Sequence, residues 1–293
     1  MGVLHRSLRL RELKERALVL EAMGVEHELE RGVVGWRIVV PRHEERRALE
    51  QWRLYDLENR GRLPAGRFEP GHAAGTVASA MCWAGLLLLM FVVEMRHEFG
   101  LDWVGAGRLD VAAIRAGEWW RAITALTLHV DAPHLIGNIG FGAVFGILLA
   151  REIGSGLAWL LILAGGTAGN LMNVVVQRPT HTAIGASTAV FAALGLLAAY
   201  LWSGRRLIHN TWARRWAPVV GGIVMLAWFG TGGERTDIVA HLTGFLAGFG
   251  IGAVLGRTLA PGKPGHRVQW LLGGVSLLCV ALAWGFAFGL TVN

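Results

Sequence analysis

Seven apolar stretches, near 76–95, 133–150, 156–176, 181–202, 217–231, 236–255 and 269–289, leave this 293-residue chain few ways to fold. About 20 apolar residues in a helix span the hydrocarbon layer of a bilayer, and within it every backbone N–H and C=O must find a partner inside the protein. The stretches predict an all-α polytopic membrane protein, with short loops joining antiparallel neighbours. Hydrophobic residues form 53% of the chain, more than an ordinary soluble domain carries. Cys82 and Cys279 lie in separate apolar stretches and read as packing residues, not as a disulfide or metal framework.

The excess of 28 Lys and Arg over 21 Asp and Glu invites a nucleic-acid reading, which its distribution opposes. With the N-terminus in the cytoplasm, 22 of these cations fall inside: fourteen in residues 1–75, then Arg151, Arg205, Arg206, Arg214, Arg215, Arg257, Lys263 and Arg267. Only Arg96, Arg108, Arg115, Arg121, Arg178 and Arg235 fall outside. That asymmetry follows the positive-inside rule, so the charge sets orientation and needs no nucleic-acid partner. The first twenty residues are charged throughout and lack the apolar core and cleavage site of a signal peptide.

Residues 1–68 predict a small cytoplasmic α+β domain with a marginal core. A helical period over 8–23 aligns Leu10, Leu13, Ala17 and Leu20; two short strands flank Gly32 to Gly35; Pro41 ends the second, and HEERRALEQWRLYDLEN reads as a helix. Gly and Pro mark 60–75 as a connection, with 69–75 the linker proper. Six helices are expected over 76–255, and a seventh with a C-terminal tail over 256–293. That seventh span has no charged residue and reads as packing only. Residues 96–132 form a long outer segment in which Trp119 and Trp120 adjoin Arg121, a combination that favours the membrane–water interface.

Reactive groups inside a bilayer are costly and mark functional sites. Ser187 lies ~9 Å into the fourth span if that helix starts at His181, and His241 ~7–8 Å into the sixth if it starts near Thr236, at 1.5 Å per residue. His134 and Asn138, four apart, occupy one face of the first turns of the second span. The four polar residues thus share one level in the outer third. His241, Gly244, Gly248 and Gly252 share a face of the sixth span, where glycines permit close helix packing, and Gly185 slims the approach to Ser187.

This grouping suits nucleophilic catalysis. A serine hydroxyl needs a base to accept its proton, and a histidine supplies one near neutral pH. The resulting oxyanion needs donors, which Asn138, His134 and the backbone N–H groups near Ser187 provide. The glycine-rich GTGGERT (230–236) is a candidate gate. Asp237, four before His241, either orients its ring or, with Thr236, caps the helix. His181 reads as a solvated residue, and Asn170 and Asn173 as interhelical hydrogen bonds. No HExxH or Cys/His cluster accompanies His129 and His134, so neither metal nor cofactor is expected. A transporter would place its polar groups near the midplane on broken helices, which this pattern does not do.

The chain resembles the rhomboid family of intramembrane serine proteases over 76–255. GEWWRAITALTLH resembles its first-loop segment, with Trp120 and Arg121 at the W-R pair. His129, His134 and Asn138 match H-x(4)-H-x(3)-N, Gly185-Ala186-Ser187 matches G-x-S, and Ala240-His241-Leu242-Thr243-Gly244 matches A-H-x-x-G. The resemblance implies a rhomboid-like six-helix core plus a seventh helix. It implies a Ser187–His241 dyad, an oxyanion site from His134, Asn138 and the Ser187 N–H, and substrate handling by Gly185, Trp120 and Arg121. It also implies single-span membrane proteins as substrates, cut near the outer face, and a bacterial inner-membrane location. Most members have Gly after the serine; here it is Thr188, whose bulk either tightens packing against the sixth span or slows the reaction. An inactive rhomboid-like protein that grips membrane helices is the alternative. The retained serine and histidine oppose it.

Overall fold

The computed structural model describes residues 2–7, 10–32, 35–58, 70–205, 212–230, 237–258 and 263–289. The chain divides into two compact units, Met1–Gly66 and Arg67–Asn293.

In the first unit, strands β1 (Gly2–Ser7), β2 (Glu28–Arg31) and β3 (Trp36–Val40) form an antiparallel sheet in the order β1-β3-β2. Helices α1 (Leu10–Ala22) and α2 (Glu45–Glu58) close it over a core of Leu13, Leu20, Ile38, Val40, Ala48 and Trp52. The periodic positions Leu13, Ala17 and Leu20 are all buried. Strand β1 has no counterpart in the sequence reading. The register shifts between Val3 and His5, so the strand lacks the alternation that would reveal it.

The second unit opens with α3 (Pro70–Met95), which absorbs the end of the expected linker; a proline fits a first helical turn because its missing N–H has no partner there. The rest of the expected linker, 60–69, lies outside the described residues. The outer segment folds into α4 (Trp103–Gly107), β4 (Leu109–Asp110), α5 (Val111–Arg115) and α6 (Arg121–Thr124). Then follow α7 (Ala132–Ile153), α8 (Ser155–Val176), β5 (Thr182–Ala183), α9 (Ser187–Arg205), α10 (Trp212–Gly230), α11 (Ile238–Thr258) and α12 (His266–Ala287).

Among the described residues, five helices are long and apolar enough to cross a membrane: α3 from Gly75, α7, α8, α11 and α12. The apolar parts of α9 and α10, Ser187–Ser203 and Trp216–Trp228, are shorter. The chain is an integral, multi-pass, all-α membrane protein. Helix α9 is apolar on every side and buried over most of its length, as a helix enclosed by others must be. It packs most extensively on α11, and also on α8, α10 and α7.

The fourth span starts later than the apolar run suggests. Residues 181–186 are not helical: Thr182 and Ala183 pair with Asp110 and Leu109, and the Gly185 N–H donates to the Ala125 carbonyl at 2.9 Å. Gly185 adopts φ +139, which side-chain-bearing residues rarely reach. Ser187 is therefore the first residue of α9 instead of lying two turns down it. The 17 residues from Ser187 to Ser203 rise about 26 Å, short of the ~30 Å hydrocarbon layer.

Glycines set the contact between α9 and α11. A Cβ on Gly244, Gly248 or Gly252 would collide with the carbonyl oxygen of Thr188, Ala192 or Leu196, and one on Gly195 would collide with that of Phe245. The expected glycine face of α11 is thus where two main chains touch.

Helix α12 is attached differently. Gln269 donates to the Ile153 carbonyl and accepts from the Leu157 N–H, both at 3.0 Å, pinning α12 to the α7–α8 turn. At its other end, buried Trp284 donates its indole N–H to Thr127 Oγ1 at 3.2 Å and fills the space over Gly107 that a Cβ would occupy. Phe286 packs on Trp119 and Trp120. Packing is its role, but the packing reaches the outer segment.

Candidate active site

Three helix N-termini converge on one cavity of about 1130 Å³. Ser187 begins α9, His241 is the fourth residue of α11, and His134 and Asn138 lie in the first two turns of α7; all four line the cavity. Each N-terminus is fixed locally. Asp131 caps α7, accepting from the His134 N–H at 2.8 Å. Asp237 caps α11, accepting from the Ala240 N–H at 2.9 Å. Gly185 turns the chain into α9.

Ser187 on α9 and His241 on α11 line the same cavity. Phe191, one turn after Ser187 and on the same face of α9, lies under the His241 ring with centroids 4.3 Å apart. His241 is 8% exposed and lines the cavity. Thr188 points away, into the junction of α8, α9 and α11. A Cβ on Gly169 would come within 2.8 Å of its methyl group and one on Gly244 within 3.0 Å, so two glycines make room for it.

His134 stands over the Gly185 turn. A Cβ on Gly185 would lie 2.6 Å from His134 Cε1 and 3.7 Å from Ser187 Oγ, so a side chain there would fill the space between them. The buried Asn138 Nδ2 has no hydrogen-bond partner among the described residues. Leaving a buried donor unmade costs roughly 1–3 kcal/mol, so this amide is available to a partner in the cavity it lines. The N-terminal N–H groups of α9 add unpaired donors and a positive dipole end beside Ser187.

His129 is fully buried, and its ring meets that of His134 edge-on with centroids 5.3 Å apart. Burial, reinforced by the neighbouring His134, lowers its pKa to about 4, so it packs as a neutral ring. No group of three or more metal-ligating side chains occurs among the described residues.

Trp120 and Arg121 do not line the cavity. Arg121 binds Glu118 at 2.6 Å and the carbonyls of Gly105 and Arg108 at 2.8 and 3.1 Å, holding the outer segment together, while Trp120 stacks on Phe286. Asn170 donates to the Ala122 carbonyl at 2.9 Å, an interhelical bond as expected. His181, expected to be solvated, is instead half-buried against Asp237, Nε2 to Oδ2 at 2.8 Å. Of the candidate gate, 230–236, Gly230 ends α10 and 231–236 lie outside the described residues. Phe191 was not anticipated, although its spacing of four from Ser187 was the available signal.

The fold and site define a polytopic membrane protein with a serine and a histidine at a buried, water-accessible level. Residues 116–258 match the Rhomboid domain, so the chain carries a domain of the rhomboid family. The Rhomboid protease GluP of Bacillus subtilis (strain 168) is 32% identical over 185 residues, covering 63% of this chain and 34% of that protein. The Putative rhomboid protease YdcA of the same organism is 27% identical over 133 residues, covering 45% and 65%. RHOMBOID-like protein 4 of Arabidopsis thaliana is 31% identical over 199 residues, covering 63% and 49%. The chain thus spans about one third to two thirds of the length of these relatives.

Proposed function

We propose that this protein is an intramembrane serine endopeptidase that cuts transmembrane segments of single-span membrane proteins near the outer face. The observation that carries the reading is the convergence of Ser187 and His241 on one cavity, through helices whose main chains are in contact. Relatives named as rhomboid proteases support it.

In this mechanism His241 takes the Ser187 proton as Oγ attacks the scissile carbonyl. The oxyanion is held by the Asn138 amide, a ring N–H of His134 and the N–H groups at the start of α9. His241 then protonates the leaving amine, and water from the cavity releases the acyl group. The dyad needs no metal or cofactor. Gly185 keeps the space between His134 and Ser187 open for the substrate backbone, while Trp120 and Arg121 act through the shape of the outer segment. Thr188 is housed between glycines, away from the cavity, which supports an active enzyme over an inactive binder.

The basic excess on one side supports a cytoplasmic N-terminal domain (1–68) and linker (69–75) with the outer segment at the opposite interface, and the family resemblance supports a bacterial inner membrane. Reconstituted protein should cleave a single-span substrate within or beside its apolar segment, and Ser187→Ala should abolish cleavage. Full activity in Ser187→Ala would refute the assignment.

A further inference from the structure

We infer that Asp237 is a positioning residue that, through His181, ties the strand leading into the nucleophile to the helix carrying the base. The inference rests on the Ser187–His241 reading above.

The Asp237 carboxylate gathers three segments. Its Oδ1 caps α11, accepting from the Ala240 N–H at 2.9 Å, and its backbone carbonyl accepts from the His241 N–H at 3.1 Å. Its Oδ2 accepts from His181 Nε2 at 2.8 Å and from Asn173 Nδ2, on α8, at 3.3 Å. A histidine Nε2–H donates to a carboxylate in either of two protonation states, so the contact does not depend on a charged ring.

From His181 to Ser187 the backbone is held at nearly every step. The His181 carbonyl accepts from the Val111 N–H at 3.2 Å, Thr182 and Ala183 pair with β4, and Gly185 donates to Ala125. A displacement of His181 is therefore transmitted along stiff chain to the Gly185 turn and Ser187. On the other side, Asp237 lies one helical turn before His241. One carboxylate thus connects the two halves of the dyad outside their shared helix interface.

Asn173 supports the same conclusion. It is fully buried, and its Oδ1 has no hydrogen-bond partner among the described residues. A buried amide with an unpaired oxygen is costly. Its retention on α8 is explained by the donor it gives to Asp237, and flipping the amide would set oxygen against oxygen. The carboxylate is engaged by the helix cap, His181 and Asn173. It acts on His241 through the helix backbone rather than as a third member of a triad.

The experiment uses the full-length protein in detergent micelles. It measures the rate at which a fluorophosphonate probe labels Ser187, and the hydrogen exchange of segments 182–187 and 238–242. Asn caps helices as well as Asp does, so Asp237→Asn keeps α11 started while weakening the acceptor for His181. The labelling rate should fall about tenfold in Asp237→Asn and in His181→Ala, with no further fall in the double variant and partial recovery in His181→Gln. Exchange should rise in both segments in either single variant. Multiplying effects in the double variant, or exchange rising in one segment only, would overturn the inference. Wild-type protein that fails to label would refute the serine-protease reading instead, and the exchange data would then decide the link on their own.

Discussion

Helices α11 and α12 both brace the candidate site, by opposite means. Helix α11 meets α9 main chain to main chain, with Gly244, Gly248 and Gly252 against the carbonyls of Thr188, Ala192 and Leu196. Helix α12 hangs on side chains, Gln269 at one end and Trp284 at the other. A backbone contact depends on no single hydrogen bond and has no slack for an added methyl group. A side-chain clamp tolerates added bulk and fails when one anchor is removed. The relation of Ser187 to His241 rests on the first kind of contact, and the outer segment bearing His129 rests on the second.

The largest expected effect comes from breaking the backbone contact. Gly248→Leu must push α9 and α11 apart, costing at least about 3 kcal/mol, the upper end for overpacking. Labelling of Ser187 by a fluorophosphonate should be lost. Gly250→Ala, where a Cβ meets nothing within 4 Å, should leave labelling unchanged and separates crowding from a general intolerance of α11.

Removing the α12 anchor comes next. Trp284→Ala should lower stability by about 3–5 kcal/mol, read by thermal unfolding in detergent, and Trp284→Phe by about 1 kcal/mol, since it loses mainly the bond to Thr127. If Trp284→Ala unfolds like wild type, α12 is not a clamp.

The clamped side should also carry a pH dependence. Folding holds His129 neutral, with its pKa lowered to about 4 by burial and then by His134, while in the unfolded chain it titrates near 6.5. As pH falls through 6.5 the unfolded state takes up a proton that the folded state refuses. Stability is full above that pH and declines down to about 4, by up to about 3 kcal/mol. His129→Leu should flatten the decline; an unchanged slope would assign it to another group.

Thr188→Gly is the mildest change. It removes the whole side chain, including the methyl group between Gly169 and Gly244, costing roughly 1–2 kcal/mol from the lost buried group and the helical glycine together, and should alter the labelling rate by no more than about threefold. A large acceleration would show that Thr188 restrains the enzyme.

These contrasts also explain what could be read in advance. Apolar stretches located the helices, and the Gly244–Gly248–Gly252 spacing located the backbone contact, because both are properties of one segment. The start of α9 was hidden: HTAIGA is apolar enough to extend the run, and bonds to distant residues, among them Ala125, Leu109, Asp110, Val111 and Asp237, hold it extended. The clamps of Gln269 and Trp284 and the Asp237–His181 contact join residues more than fifty positions apart, which no local pattern encodes. Strand β1 was lost to its bulge. Ser187, His241, His134 and Asn138 stood out because polar groups in an apolar helix need a reason to be there.

The account turns on Ser187 being a nucleophile activated by His241. The most direct measurement is fluorophosphonate labelling of the purified protein, with the modified residue located by peptide mass spectrometry. The account predicts a single adduct on Ser187 in the wild type, none in Ser187→Ala, and strongly slowed labelling in His241→Ala. Labelling of Ser187 at the wild-type rate without His241, or an adduct on any other residue, would contradict it.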